Sequence, residues 1–174
     1  MIIYEDILTG DEIISDTFKL KEVDNVLFEC DCRNITKKLN EDIQLDGANP
    51  SAEGGDEDAG GDADTVQVLD IVDNFRLQEY PKLEKDEYKK YIKSYMKKIL
   101  KALEEKGAPK ETIDEFKNNA QTGLKRILAN YKNYDVFVGE SFDGEAMQVL
   151  VDYREDGVTP YATFWKHGLK ENKV

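Results

Sequence analysis

The side chains here that could do chemistry are a row of lysines, a crowd of carboxylates, two cysteines and one histidine. Lys89, Lys93, Lys97 and Lys101 recur every four residues, with Lys90 and Lys98 beside them. On a helix that step returns to nearly the same side, so the ammonium groups build a ridge. A ridge of this kind draws an acidic partner by screened Coulomb attraction that fades as salt rises. Lysines that only solvate the outer side of a helix give the same pattern.

Asp46, Asn49, Glu53, Asp56, Glu57, Asp58, Asp62 and Asp64 crowd one short stretch. Calcium is a hard cation that needs several oxygen ligands, and Asn49, Glu53, Asp56, Glu57, Asp58 and Asp62 are its candidate donors. The spacing of an EF-hand is absent, so ordering the segment around the ion costs entropy and the expected binding is weak. A solvated acidic loop with diffuse cation attraction is the alternative. Cys30 and Cys32 stand two apart in a strand-like run, which puts both on one side of the strand. A four-coordinate zinc site needs two further soft ligands, and His167 is the only histidine, so small strand residues in a reducing compartment is the plainer reading.

No Gly-x-Ser-x-Gly, phosphate-cradling glycine loop or triad is present, which points to a binding protein and not an enzyme. The net charge of −13 disfavours general binding of DNA or RNA. No apolar run approaches the roughly 20 residues that cross a bilayer, and the opening Met1-Ile2-Ile3-Tyr4-Glu5-Asp6 lacks a signal-peptide layout, so no membrane insertion and a cytoplasmic location are expected.

Short strands are expected at Met1 to Leu8, Thr17 to Val23 and Val26 to Arg33, with turns at Thr9-Gly10-Asp11 and Asp24-Asn25. Residues 39–64 read as a mobile acidic loop with little to bury. Val66 to Val72 reads as a strand with one side inside. From 82 to 132 the period changes. Tyr88, Tyr91, Ile92, Tyr95, Met96, Ile99, Leu100 and Leu103 make one apolar stripe, and Gly107 ends that helix. Pro109 opens a second helix, with Ile113, Phe116, Ala120, Leu124, Ile127, Leu128 and Tyr131 inside. The tyrosines read as core. Strands return at Tyr134 to Glu140, Met147 to Tyr153 and Tyr161 to Lys166, the last two joined at Asp156-Gly157. Segregated helices on a mostly antiparallel sheet make an α+β fold, and a chain of 174 residues suits one domain spanning 1–174.

Several stretches resemble the translationally controlled tumour protein family nearly end to end. They are Met1-Ile2-Ile3-Tyr4 through Asp11-Glu12, Gly47-Ala48-Asn49-Pro50-Ser51-Ala52-Glu53-Gly54, and the helix from Tyr88 to Lys97. Phe137-Val138-Gly139-Glu140-Ser141 and Asp152 through Pro160 complete the set, and the ending Trp165-Lys166-His167-Gly168 is similar to fungal members. The resemblance implies a β-tent core with a projecting α-helical hairpin. It also implies calcium binding, microtubule association with a partly cytoskeletal location, and contact with translation elongation factors. By analogy, Lys89, Lys90, Lys93, Lys97 and Lys101 would meet the acidic tails of tubulin. The family fold is similar to guanine-nucleotide-exchange chaperones of small GTPases, and Glu12 matches the position proposed to face the GTPase.

Overall fold

The computed structural model describes residues 1–38 and 65–174, so the span 39–64 lies outside it. In chain order the strands are β1 (Ile2–Asp6), β2 (Glu12–Ser15), β3 (Lys21–Val23), β4 (Leu27–Asp31), β5 (Asn34–Lys38), β6 (Thr65–Leu69), β7 (Gln78–Glu79), β8 (Asp135–Val138), β9 (Val149–Tyr153), β10 (Pro160–Trp165) and β11 (Leu169–Lys173). The helices are α1 (Asp70–Phe75), α2 (Lys85–Glu105) and α3 (Lys110–Asn130). Among the described residues every strand pairing is antiparallel, in a six-stranded sheet ordered β3-β4-β10-β9-β8-β7, a three-stranded sheet ordered β11-β1-β2, and the β5-β6 ribbon. Together with the helical hairpin this is the expected α+β architecture.

The turns form where residue chemistry allows them. Asp24 (φ 54°) and Asn25 (φ 64°) both take the left-handed region between β3 and β4, as a two-residue hairpin turn requires. Gly107, at φ 74°, closes α2: the Ala108 N–H donates to the Leu103 carbonyl at 2.9 Å and the Gly107 N–H to that of Glu104 at 3.1 Å. A side chain at Gly107 would strain that left-handed closure. Pro109 sits one residue before the first turn of α3, as its N-cap, and not inside the turn.

Three differences from the sequence reading have physical causes. Val66–Val72 is not one strand. Asp70 turns the chain at Leu69, its Oδ1 accepting the backbone N–H of Ile71 at 2.8 Å and of Arg33 at 3.2 Å, and α1 follows. Ile71 is thereby fully buried, and that burial outweighs the strand preference of a β-branched residue. Second, β2, β5, β7 and β11 have no counterpart among the expected strands: β5, β7 and β11 are short and mostly polar, and β2 buries Ile13, Ile14 and Ser15 in succession instead of alternating. β11 holds by pairing with β1, from Ile2↔Lys173 to Asp6↔Leu169. Third, the inner side of α3 centres on Gly123 as well as Phe116, Ala120 and Ile127.

The core is one cluster between sheet and hairpin, with Ile13, Leu27, Tyr88, Tyr95, Phe116 and Phe164 among its most buried members. Phe116 meets Trp165 edge-on at 6.2 Å between ring centroids, and Tyr88 lies 4.7 Å from Tyr131. At Gly123 the helix approaches the sheet so closely that an added Cβ would stand 2.8 Å from Val26 Cγ2 and 3.4 Å from the Trp165 ring. Helix propensity alone favours replacing this glycine, by about 1 kcal/mol. Close packing reverses the sign: Gly123→Leu is expected to lower unfolding stability by about 1–3 kcal/mol. Chemical denaturation with far-UV circular dichroism checks this, and an unchanged or higher midpoint would mean that α3 does not seat against Val26 and Trp165.

Candidate functional site

The lysines owe their orientation to the opposite side of α2. Tyr88, Ile92, Tyr95, Ile99 and Leu103 are buried at steps of four and three, while Tyr91, Met96 and Leu100 are half-buried beside them. That stripe leaves Lys89, Lys90, Lys93, Lys97 and Lys101 exposed on the helix. Among the described residues none of these five makes an ion pair. Lys98 alone approaches an acid, at 3.9 Å from Glu145. The tyrosines are core, as expected: the Tyr131 hydroxyl donates to the Leu83 carbonyl at 2.7 Å, and that of Tyr91 to the Ala146 carbonyl.

A half-buried cluster of charged and polar side chains joins the hairpin to the sheet. Glu115 on α3 accepts from Lys166 Nζ at 3.0 Å and meets His167 Nε2 at 2.9 Å, and Lys166 also reaches Glu22 at 2.9 Å. Burial pulls the His167 imidazole below its ordinary 6.5, outweighing the carboxylate of Glu115, which pulls the other way. Its Nδ1 is buried with no hydrogen-bond partner among the described residues, which fits a neutral ring donating through Nε2. Desolvation works to raise the Glu115 carboxyl, but hydrogen bonds and charge from Lys166 and His167 win and lower it.

Glu12 opens β2, exposed and without an ion pair among the described residues. Its neighbours are committed. Asp11 Oδ2 accepts from the Ser141 hydroxyl at 2.6 Å and from its backbone N–H at 3.1 Å. Asp6, only 2 % exposed, accepts from the N–H of Leu8 at 2.8 Å and of Met147 at 3.1 Å. Burial still raises its carboxyl, against the lowering of those bonds. The sequence does not single out Asp6 and Asp11, because the partners that tie them to the rest of the fold, Met147 and Ser141, lie 130 or more positions away.

Cys30 and Cys32 are both buried and unbridged. The hydrogen bond with Cys30, then burial, push the Cys32 thiol far above its usual range, so it stays protonated, a poor nucleophile and metal ligand. Asn49, Glu53, Asp56, Glu57, Asp58 and Asp62, the candidate calcium donors, lie outside the described residues. Among the described residues no three His, Cys, Asp or Glu side chains group to hold a metal ion. A broad groove of about 850 Å³ runs between α3 and the six-stranded sheet. Its two arginines and three of its acids already have partners: Arg126 pairs with Asp24 at 2.7 Å, Arg154 with Glu29 at 2.9 Å, and Asp152 accepts from the Asn130 amide at 2.8 Å. Among the described residues the lysine ridge therefore carries more unspent positive charge than this groove. No helix among the described residues is long and apolar enough to cross a membrane.

Comparison with known proteins gives a consistent likeness. A family model described as translationally controlled tumour protein matches residues 1–170. The translationally-controlled tumor protein homolog of Aspergillus oryzae is 75% identical over 174 residues, covering all of both chains. Among solved structures, the translationally controlled tumor-associated protein of Schizosaccharomyces pombe superposes with a TM-score of 0.78 at 45% identity, covering 100% of both chains. The Caenorhabditis elegans translationally-controlled tumor protein gives 0.68 at 33% identity, covering 100% of this chain and 99% of that one.

The Glu115 cluster makes the seating of the hairpin acid-sensitive. His167 has a folded pKa below its unfolded 6.5, so the unfolded chain binds more protons between the two values. The stabilisation is complete above about pH 6.5 and is lost as pH falls through the folded value. Glu115, also lowered, adds a loss of the same sign below its ordinary 4.5. Urea midpoints should thus drop between pH 7 and 5, and His167→Gln should flatten that drop; identical pH profiles for the two proteins would exclude the histidine as its source.

Proposed function

The chain belongs to the translationally controlled tumour protein family, and from that premise we propose that it is a binding protein whose lysine-bearing helix docks the acidic tails of tubulin. One observation carries the reading: five exposed lysines follow one another along α2 with no ion pair among the described residues. Charged groups left unmatched on a rigid element are available to a partner without first breaking an internal bond. Calcium uptake by Asn49, Glu53, Asp56, Glu57, Asp58 and Asp62 is the second part of the proposal, and it rests on residue types alone. Both roles fit a cytoplasmic protein partly associated with the cytoskeleton.

A second reading, guanine-nucleotide exchange or chaperoning of a small GTPase, is favoured by Glu12. Its carboxylate is exposed, while the adjacent Asp11 is consumed by Ser141. The rigid β1–β2 segment would then present a single free acid to the partner. Elongation-factor contact, the third activity the family brings, is matched to no residue here.

Co-sedimentation with microtubules tests the first reading. The bound fraction is expected to fall when the tubulin tails are cleaved and to fall again as salt rises. Lys97→Gln should weaken binding by about two- to fivefold, the scale of one exposed charge contact. Undiminished binding to tail-cleaved microtubules would remove the proposal. For the second reading, nucleotide release from a purified GTPase should slow with Glu12→Val, and equal rates at saturating protein would dismiss it.

A further inference from the structure

The lysines of α2 are not equivalent. At about 100° per residue, Lys90, Lys97 and Lys101 fall within about 40° of one another around the helix axis. Their mean direction is about 180° from that of the buried Tyr88, Ile92, Tyr95, Ile99 and Leu103, so they run along the outermost line of the helix. Lys93 stands about 60° off that line, and Lys89 and Lys98 about 80–100° off. From Tyr88 to Leu103 the helix carries no acid at all. Exposed acids bound it at both ends, Asp86 and Glu87 before, Glu104 and Glu105 after. Within it, Lys89–Lys93, Lys93–Lys97 and Lys97–Lys101 are like-charge pairs at the spacing where repulsion destabilises a helix. An acid placed among them would relieve that repulsion, yet none is there.

Resting on the docking role proposed above, we infer that Lys90, Lys97 and Lys101 form a straight cationic rail that takes an extended acidic polypeptide segment of about five residues, laid parallel to α2. The length follows from geometry. Lys90 to Lys101 spans about 17 Å at 1.5 Å per residue, the reach of about five residues of extended chain at 3.3 Å each. A compact anion such as a phosphate could touch two of these lysines at most, because Lys90 and Lys97 are about 10 Å apart along the axis. A nucleic-acid strand suits the rail less well. It would run on into the acid pairs at either end, and the tyrosines that could stack bases are turned into the core, Tyr88 and Tyr95 at 0 % exposure.

The test is fluorescence anisotropy with labelled hexaglutamate and the full chain at low salt. K90Q/K97Q/K101Q is expected to weaken binding by about tenfold or more, as three exposed charge contacts together would. The control K110Q/K117Q/K125Q removes the same charge from exposed positions of α3, where Glu111, Asp114 and Glu115 are interleaved, and should cost less than about threefold. Both variants change only exposed side chains, and circular dichroism verifies their helix content. Equal losses in the two variants overturn the rail while leaving the basic arm as a docking surface. No loss in either overturns both. A single-stranded oligonucleotide of equal charge that binds as tightly as hexaglutamate overturns the polypeptide as partner.

Discussion

The surface chemistry of this protein depends on the burial of one stripe of α2. Tyr88, Ile92, Tyr95, Ile99 and Leu103 are held between the sheet and α3, and a helix pinned on one side has no freedom to turn the other. The magnitudes are one-sided. Three like-charge lysine pairs at a step of four cost about 1 kcal/mol together. Five large buried side chains return about 1.5–3 kcal/mol each, before the entropy of ordering them. Packing therefore tolerates a lysine row that the isolated helix would resist. The same packing explains why the tyrosines face inward: their rings fill the contact, and of their hydroxyls that of Tyr91 donates to the Ala146 carbonyl, while those of Tyr88 and Tyr95 are buried without a hydrogen-bond partner among the described residues.

Carboxylates in the N-terminal segment divide into two kinds by what they touch. Asp6 and Asp11 tie the β1–β2 connection to residues 141–147 through backbone N–H groups and the Ser141 hydroxyl. Gly139 allows this approach, since an added Cβ there would stand 2.5 Å from Asp11 Oδ2. Glu12, one residue on, starts β2 and faces solvent. A segment rich in acid thus holds its shape through some carboxylates and keeps another free, and what sorts them is whether a donor of residues 141–147 lies within reach.

Local patterning made the hairpin and the principal strands readable from the sequence, because burial there follows a period: 3.6 on α2 and α3, and the turn chemistry of Asp24-Asn25 between β3 and β4. The lysine ridge was readable for the same reason, being the complement of a buried stripe. What escaped is whatever depends on distant partners. β11 is polar and exists because β1 offers its edge. α1 replaces a strand because Asp70 bonds Arg33, 37 positions away. The clamps of Asp6 and Asp11, and the meeting of Glu115 with Lys166 and His167, join residues that no window along the chain contains. The candidate calcium donors lie in the span outside the described residues.

A chain of net charge −13 can still attract a negatively charged partner, because screening makes the encounter local. At physiological salt the Debye length is about 8 Å, whereas α2, with 21 residues, is about 32 Å long. A carboxylate approaching the middle of the helix therefore feels the lysines nearest it and little of the acids on the sheet. The groove beside α3 has cations of its own, but of these Arg126 and Arg154 are held by Asp24, Glu29 and Asp31, which leaves Lys21 and Lys125 against the five lysines of α2. Availability, and not the number of charges, distinguishes the two surfaces. On that criterion the outer line of α2 offers an acidic chain more free positive charge than the groove does.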